Sequence, residues 1–269
     1  MAGSKIRAKQ SSFEASEMNT TVADFYDNIS EYYDDMTHFH GRLQREKQII
    51  EKWVKRYRFK RVLDAACGSG VHTIILNQLG VSAVGVDISH EMIKKARENA
   101  ARMSLKALFL QSALQDLDIK SEPKYDAVLF LGNSVPHIES KTELIEIFIA
   151  LRKLLFSKGK LLIQLLNYDR IMSIKNRIVS INRIQNQEYI RFYDFLLGGI
   201  RFNVLHVNWD YSPCKYSIEY TDLYPYVKKD LVTYIQKSGY RILDVFGSMN
   251  FDPYDENESK DLVILAEKQ

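Results

Sequence analysis

Two cysteines in 269 residues, Cys67 and Cys214, are too few for a disulfide framework and have no metal-ligand spacing. No metal is expected, and their scarcity favours a reducing compartment, with the cytoplasm as the expected location. Long apolar runs are also lacking, so no segment is expected to span a bilayer and no membrane partner is foreseen. Residues 1–20 are polar, lack the apolar centre of a secretory signal and read as a flexible tail. Charge of one sign is missing too: 37 Lys and Arg face 34 Asp and Glu, and the basic residues are dispersed. Such a surface offers no dense basic tract, so no nucleic-acid partner is expected. The absence of internal repeats argues against a solenoid or array.

What remains is an ordinary globular composition, 46% hydrophobic and 26% charged, enough to build a sizeable core. From residue 43 onward, short apolar runs alternate with stretches of helical spacing. In "LQREKQIIEKWVKRY", Leu43, Ile50, Trp53, Val54 and Tyr57 recur as one helical face, and "RVLDAAC" follows as a strand. A helix over 71–79, the strand "SAVGVD" and the helix "HEMIKKARENAARM" complete a βαβα unit. The strands "ALFLQ" and "YDAVLFLG", a helix over 141–156 and the strand "LLIQLLN" continue it. Ser140 with Glu143 suggests a capping box for that helix, and Lys158 with Gly159 its stop. Strands this uniformly apolar suit a parallel sheet covered on both faces.

Past residue 186 the texture changes to aromatic-rich alternation, "EYIRFYDFLL" and "IRFNVLHVNW" about Gly198-Gly199, which reads as an antiparallel β insertion. A last helix and two strands return to the α/β pattern. The expected architecture is α/β: a doubly wound, mostly parallel sheet with an N-terminal helical lid and an inserted antiparallel β cap. The main domain takes 21–185 together with 226–269, and the cap takes 186–225.

The sharpest chemical signal is "VLDAACGSGVHT", where a strand runs through Gly68-Ser69-Gly70 into a helix. Glycines there let backbone and ligand approach closely. Asp87 ends the next strand, where a carboxylate can accept hydrogen bonds from ribose hydroxyls. The combination points to an adenosine-containing ligand. A dinucleotide fingerprint would need a third small residue where this chain has Thr73, and it gives no role to Asp64 or Cys67.

The stretch "VLDAACGSG…VGVDIS…M" resembles the class I S-adenosylmethionine-dependent methyltransferases, a Rossmann-like family, over residues 25–172 and the last two strands. The resemblance implies S-adenosylmethionine as cofactor, with Asp64, Ala66, Gly68 and Gly70 in the nucleotide loop and Asp87 and Ile88 at the ribose. Ala113 and Leu114 fall where adenine is held, here by backbone and apolar packing, and Leu131 closes the pocket. Met92 either covers the base or is a core methionine of its amphipathic helix. "FYDNISEYYDDM" is similar to the opening of small-molecule methyltransferases, whose N-terminal segment folds over the donor. That makes Tyr26 and Tyr33 donor-binding aromatics. Arg42 is either the cation for the methionyl carboxylate or a solvated arginine.

"LGNSVPHI" follows the fourth strand, at the carboxyl end where open α/β sheets bind ligands. With "LLNYDRI" it resembles the glycine/sarcosine N-methyltransferase branch, which implies that Asn133 contacts the acceptor and that His137 lies near donor and acceptor alike. His137 either takes a proton from an acceptor amine or only hydrogen-bonds its loop. The expected function is methyl transfer to a small-molecule acceptor, preferably an amine nitrogen; methylation of a metabolite oxygen and a catalytically silent adenosine-ligand sensor are the alternatives. The branch places an arginine for the acceptor carboxylate where this chain has Leu166, so glycine is expected to be a poor acceptor unless Arg170, Arg177, Arg191 or Arg201 substitutes. Aromatic side chains of the cap, such as Tyr193, Phe202 and Trp209, are expected mostly in the core, with some able to face a cation.

Overall fold

A computed structural model describes residues 21–117 and 124–269. The tail expected over 1–20 lies outside the described residues. The chain begins with α1 (Val22–Met36), started by a reciprocal capping box in which Thr21 and Asp24 satisfy each other's backbone N–H groups. α2 (Phe39–Tyr57) turns Phe39, Leu43, Ile50 and Trp53 inward; the last three belong to the face that the sequence spacing predicts, whose Val54 and Tyr57 are half-buried.

The alternation then unrolls as β1 (Arg61–Ala65), α3 (Val71–Gln78), β2 (Ser82–Asp87), α4 (His90–Arg102), β3 (Leu108–Gln111), β4 (Tyr125–Phe130), α5 (Lys141–Leu154) and β5 (Leu155–Leu166). Ser140 caps α5 by accepting from the Glu143 N–H. The helix expected over 141–156 ends at Leu154, and β5 starts at once. Lys158, with φ 62°, and Gly159 lie inside that long strand, where the register to β4 shifts between Tyr125 and Ala127. Pairing with the neighbouring strand therefore overrides the local stop signal.

After α6 (Tyr168–Ile174) come β6 (Ile178–Ile184), β7 (Gln187–Leu196), β8 (Gly199–Asn208) and β9 (Lys215–Leu223); α7 (Lys228–Lys237), β10 (Tyr240–Phe246) and β11 (Asp261–Lys268) finish the chain. The large sheet has the order β10-β11-β5-β4-β1-β2-β3, and only β11 runs antiparallel to its neighbours. Its central strands are buried on both faces, so Val62, Leu63, Ala127, Val128, Leu161 and Ile163 fill the two main core clusters.

The small sheet is a meander, β6-β7-β8-β9. It starts at Ile178 and not at 186, because "IVSINRI" pairs with β7 across a tight turn although its polar alternation is weak. Its inner face presents Tyr189 and Val204 to Phe25, Ile29 and Met36 of α1 and to Met92 of α4. Burying each such side chain contributes about 1.5–3 kcal/mol, so α1 is clamped between α4 and the small sheet. The clamp brings the lid, the carboxyl ends of β1, β2 and β4, and the small sheet around one space.

Candidate active site

The chain leaves β1 through a tight turn in which Ala66, Gly68 and Gly70 all have positive φ, at 58°, 53° and 90°. At Gly68 a Cβ would meet nothing closer than the Tyr33 hydroxyl at 3.9 Å, so this glycine supplies the left-handed backbone and an open approach. At Gly70 a Cβ would press on Ala96 and Phe109 at 3.0 Å, so that glycine lets α3 pack against α4 and β3. Asp87 joins the turn to the start of α4: one carboxylate oxygen accepts from the Gly68 N–H at 2.8 Å, the other from the Ser89 N–H at 3.0 Å. Burial raises its pKa, with the two backbone donors opposing. Each oxygen keeps a lone pair for a further donor.

A cavity of ≈ 410 Å³ opens above this turn. Ala66, Gly68, Asp87 and Ile88 form its floor, Ala113 and Leu114 one end, Leu131 and His137 the side after β4, and Tyr26, Tyr33 and Arg42 the roof. These eleven are lining residues that the sequence indicates. The cavity fits an adenosine ligand: the glycine turn leaves space for it, Asp87 retains acceptor capacity, and the buried Ser69 hydroxyl on its wall has no protein partner.

Three expected ligand contacts lie elsewhere. Asp64 is 1% exposed and accepts from the Thr73 hydroxyl at 2.6 Å, which ties β1 to α3 beneath the loop. Gly70 stands at the N-cap of α3, turned to the packing just described. Met92 is fully buried with Phe25 and Tyr189, so it is a core methionine that anchors the lid. All three support the site from behind, because the motif serves the fold of the loop as well as the ligand.

A second cavity of ≈ 450 Å³ shares with the first the wall formed by Tyr26, Tyr33, Arg42, Leu131, His137 and Arg191. Asn133 lines the second cavity alone, held by Tyr168 at 3.0 Å through its amide nitrogen and by the Leu166 N–H, also at 3.0 Å, through its oxygen. Leu166 is on the same wall, and mostly apolar side chains such as Ile29, Met36, Val179 and Phe202 enclose the rest. His137 sits at the junction. Its Nε2 is 2.9 Å from the Tyr26 hydroxyl and its Nδ1 3.5 Å from the Thr221 hydroxyl, and burial pushes its pKa down to about 4. The ring is therefore neutral at physiological pH.

Beside it, Glu46 accepts from Arg42 Nε at 2.8 Å and lies 2.9 Å from His72 Nε2. Burial acts against the Glu46 charge, but His72 and Arg42 outweigh it and hold the carboxyl down to about 2. Glu46, His72 and Thr221 are site residues that sequence reasoning missed. Glu46 and His72 stand 26 positions apart on different helices, and no local spacing marks a pair joined only by packing of α2 on α3.

A methyltransferase domain family matches residues 62–159. The glycine/sarcosine N-methyltransferase of Aphanothece halophytica is 34% identical over 137 residues, 51% of this chain and 52% of that protein, so the match spans about half the relative's length. The glycine/sarcosine N-methyltransferase of Halorhodospira halochloris is 23% identical over 91% of this chain and 89% of its own. Among solved structures, an S-adenosylmethionine-dependent methyltransferase of Clostridium acetobutylicum ATCC 824 superposes with a TM-score of 0.76 at 18% identity, covering 90% of this chain and 98% of that one, a likeness of fold. The chain carries a match to a methyltransferase domain over residues 62–159 and resembles the class I S-adenosylmethionine-dependent methyltransferases. Within that class the resemblance is to the glycine/sarcosine N-methyltransferase branch.

Proposed function

We propose that this enzyme methylates the nitrogen of a small-molecule amine, with the donor in the first cavity and the acceptor in the second. The observation that carries this reading is the shared wall, where Tyr26 and His137 meet at 2.9 Å between the two chambers. The names of the two curated relatives support nitrogen as the acceptor atom. The scarcity of cysteine, with only Cys67 and Cys214, supports a cytoplasmic setting.

When bound, S-adenosylmethionine supplies a methyl group already activated by its sulfonium. Asp87 would receive the ribose hydroxyls, Ala66 and Gly68 would let the ligand lie close to the backbone, and Ala113 and Leu114 would pack against the base. Arg42, oriented by Glu46, would hold the methionyl carboxylate. The protein's remaining task is positioning, worth several kcal/mol when reacting atoms are held in line. Asn133 contributes on the acceptor side.

In the tautomer whose Nε2–H donates to the Tyr26 hydroxyl, a neutral His137 keeps its Nδ1 lone pair to accept from the amine N–H and so turns the nitrogen lone pair toward the donor. With a pKa near 4 it does not store the released proton; it passes it on to water. Arg42 and Arg191, both on the shared wall, disfavour a protonated amine there, which keeps the lone pair available. Labelled donor incubated with a panel of amines and alcohols tests the reading. S-adenosylhomocysteine formation with label on nitrogen is expected; label confined to oxygen overturns it.

A further inference from the structure

The second cavity has two carboxylates on its walls, Glu46 and Asp261, and they differ in what holds them. Glu46 is matched on both oxygens, by Arg42 and by His72. Asp261 is matched on one. It opens β11 opposite Leu166, the last residue of β5, and is half-buried. Its Oδ1 accepts from the Gln164 amide nitrogen at 3.0 Å, and the Gln164 amide oxygen accepts in turn from the Gly132 N–H at 2.8 Å. These two bonds tie the carboxylate to the loop that carries Asn133 and His137, so its direction is fixed before any ligand arrives. Its Oδ2 accepts from no group among the described residues, and no Lys, Arg or His there forms an ion pair with it. The nearest polar neighbours are engaged already: Gln164 as above, and Asn133 with Tyr168 and the Leu166 N–H. Burial raises the Asp261 pKa, with the Gln164 hydrogen bond and the Lys260 charge opposing. A partly desolvated carboxylate on a mostly apolar chamber is costly until a donor, best a cation, meets its free oxygen.

We propose that Asp261 receives a second, positively charged amino group of the acceptor, so that the substrate is a diamine. The proposal rests on the methyl-transfer reading above. The two ends of the chamber suit two nitrogens in different states. At the wall shared with the first cavity, Arg42 and Arg191 act against a protonated amine, so the nitrogen beside His137 is neutral and keeps its lone pair. That nitrogen takes the methyl group, the sulfur keeps the electron pair of the broken bond, and one N–H proton leaves to water. At β11, Asp261 favours the charged form of the other nitrogen. β11 is two strands from β4 in the large sheet, and strands lie about 4.8 Å apart, so Asp261 stands roughly 10 Å from the strand end that leads to His137. The mostly apolar lining of the ≈ 450 Å³ chamber suits a hydrocarbon spacer between the two nitrogens.

Calorimetry on the full chain in complex with S-adenosylhomocysteine tests this by comparing hexylammonium with 1-hexanol, the same chain without the charge. Hexylammonium should bind wild type at least about tenfold more tightly than Asp261→Asn, Asp261→Glu should recover part of the difference, and 1-hexanol should not distinguish the proteins. In turnover with S-adenosylmethionine, wild type should use 1,6-diaminohexane with a kcat/KM at least about tenfold above that for hexylamine, and Asp261→Asn should lose the preference. Equal binding of hexylammonium to wild type and Asp261→Asn, or none to wild type, overturns the proposal. A loss of 1-hexanol binding as large as that of hexylammonium also overturns it, because a neutral hydroxyl would then serve as well. Turnover of hexylamine as efficient as that of 1,6-diaminohexane, or turnover of neither, counts against it equally. Should Asp261→Asn not fold, hexylammonium against 1-hexanol on wild type decides, and equal affinity refutes. Failure of wild type to bind S-adenosylhomocysteine strikes the underlying reading instead, and shows before any amine is added.

Discussion

The Tyr26 hydroxyl and His137 Nε2 lie 2.9 Å apart although the residues are 111 positions apart in sequence. Burial pushes the tyrosine pKa well above its usual value and the histidine's down to about 4, so both partners stay neutral and share one hydrogen. The contact joins the lid to the loop after β4. It forms only when α1 is seated.

Replacing His137 with Asn, or Tyr26 with Phe, should therefore lower turnover more than donor binding. A loss of about 10²-fold in kcat is expected for His137→Asn, at the lower end of general acid–base contributions. Calorimetry with S-adenosylhomocysteine gives the binding half of the comparison. Wild-type kcat in either folded variant would remove that residue from the site.

His137 also makes stability depend on pH. Its folded pKa of about 4 lies below the ordinary 6.5, so between those values the unfolded chain binds the extra proton and stability falls as pH falls. The full loss is roughly 3 kcal/mol, of which about 2 should be gone by pH 5. Urea unfolding of wild type and His137→Gln at pH 8 and pH 5 measures it. Parallel losses in the two proteins would count against a buried neutral imidazole.

Asp87→Ala removes the proposed ribose acceptor together with the anchors of Gly68 and Ser89. S-adenosylhomocysteine binding should weaken by about 1.5–3 kcal/mol, the range for a hydrogen bond to a charged group. Affinity unchanged in a folded variant would show that the carboxylate serves only the loop.

Glu46→Gln leaves Arg42 without its counter-charge. Because the folded pKa of Glu46 is held at about 2, below the ordinary 4.5, its contribution is present at neutral pH and is lost as pH falls between those values. The variant should be about 1–3 kcal/mol less stable at pH 7 and should lose less on acidification across that window. Thermal unfolding from pH 7 to pH 3 provides the check.

Glycine should be a poor acceptor, because it leaves most of the largely apolar ≈ 450 Å³ cavity unfilled, and Leu166 presents no cation to the wall where Asn133 stands. Leu166→Arg should raise glycine methylation relative to wild type. Efficient methylation of glycine by wild type would send its carboxylate to Arg191.

The large sheet was legible because buried parallel strands have an apolar run and a helix after each, a pattern local enough to read one unit at a time. The glycine turn and Asp87 were legible for the same reason: backbone conformation and strand end are set within about 25 residues, 62 to 87. Asp64 and Met92 belong to the same motif, but whether a side chain points to ligand or core depends on what packs behind it, and Thr73 and the lid took those two. The start of the small sheet at Ile178 escaped because an edge strand owes its place to its partner more than to its own alternation. The sequence by itself determined the class of fold, the glycine turn and the place of Asp87 at the end of β2. Tertiary structure decided the pairing of Tyr26 with His137, the Glu46 bridge between Arg42 and His72, and which cap arginine faces the cavity, because these depend on how α1, α2 and the small sheet dock, and charge and burial at a point in space are sums over segments distant in the chain.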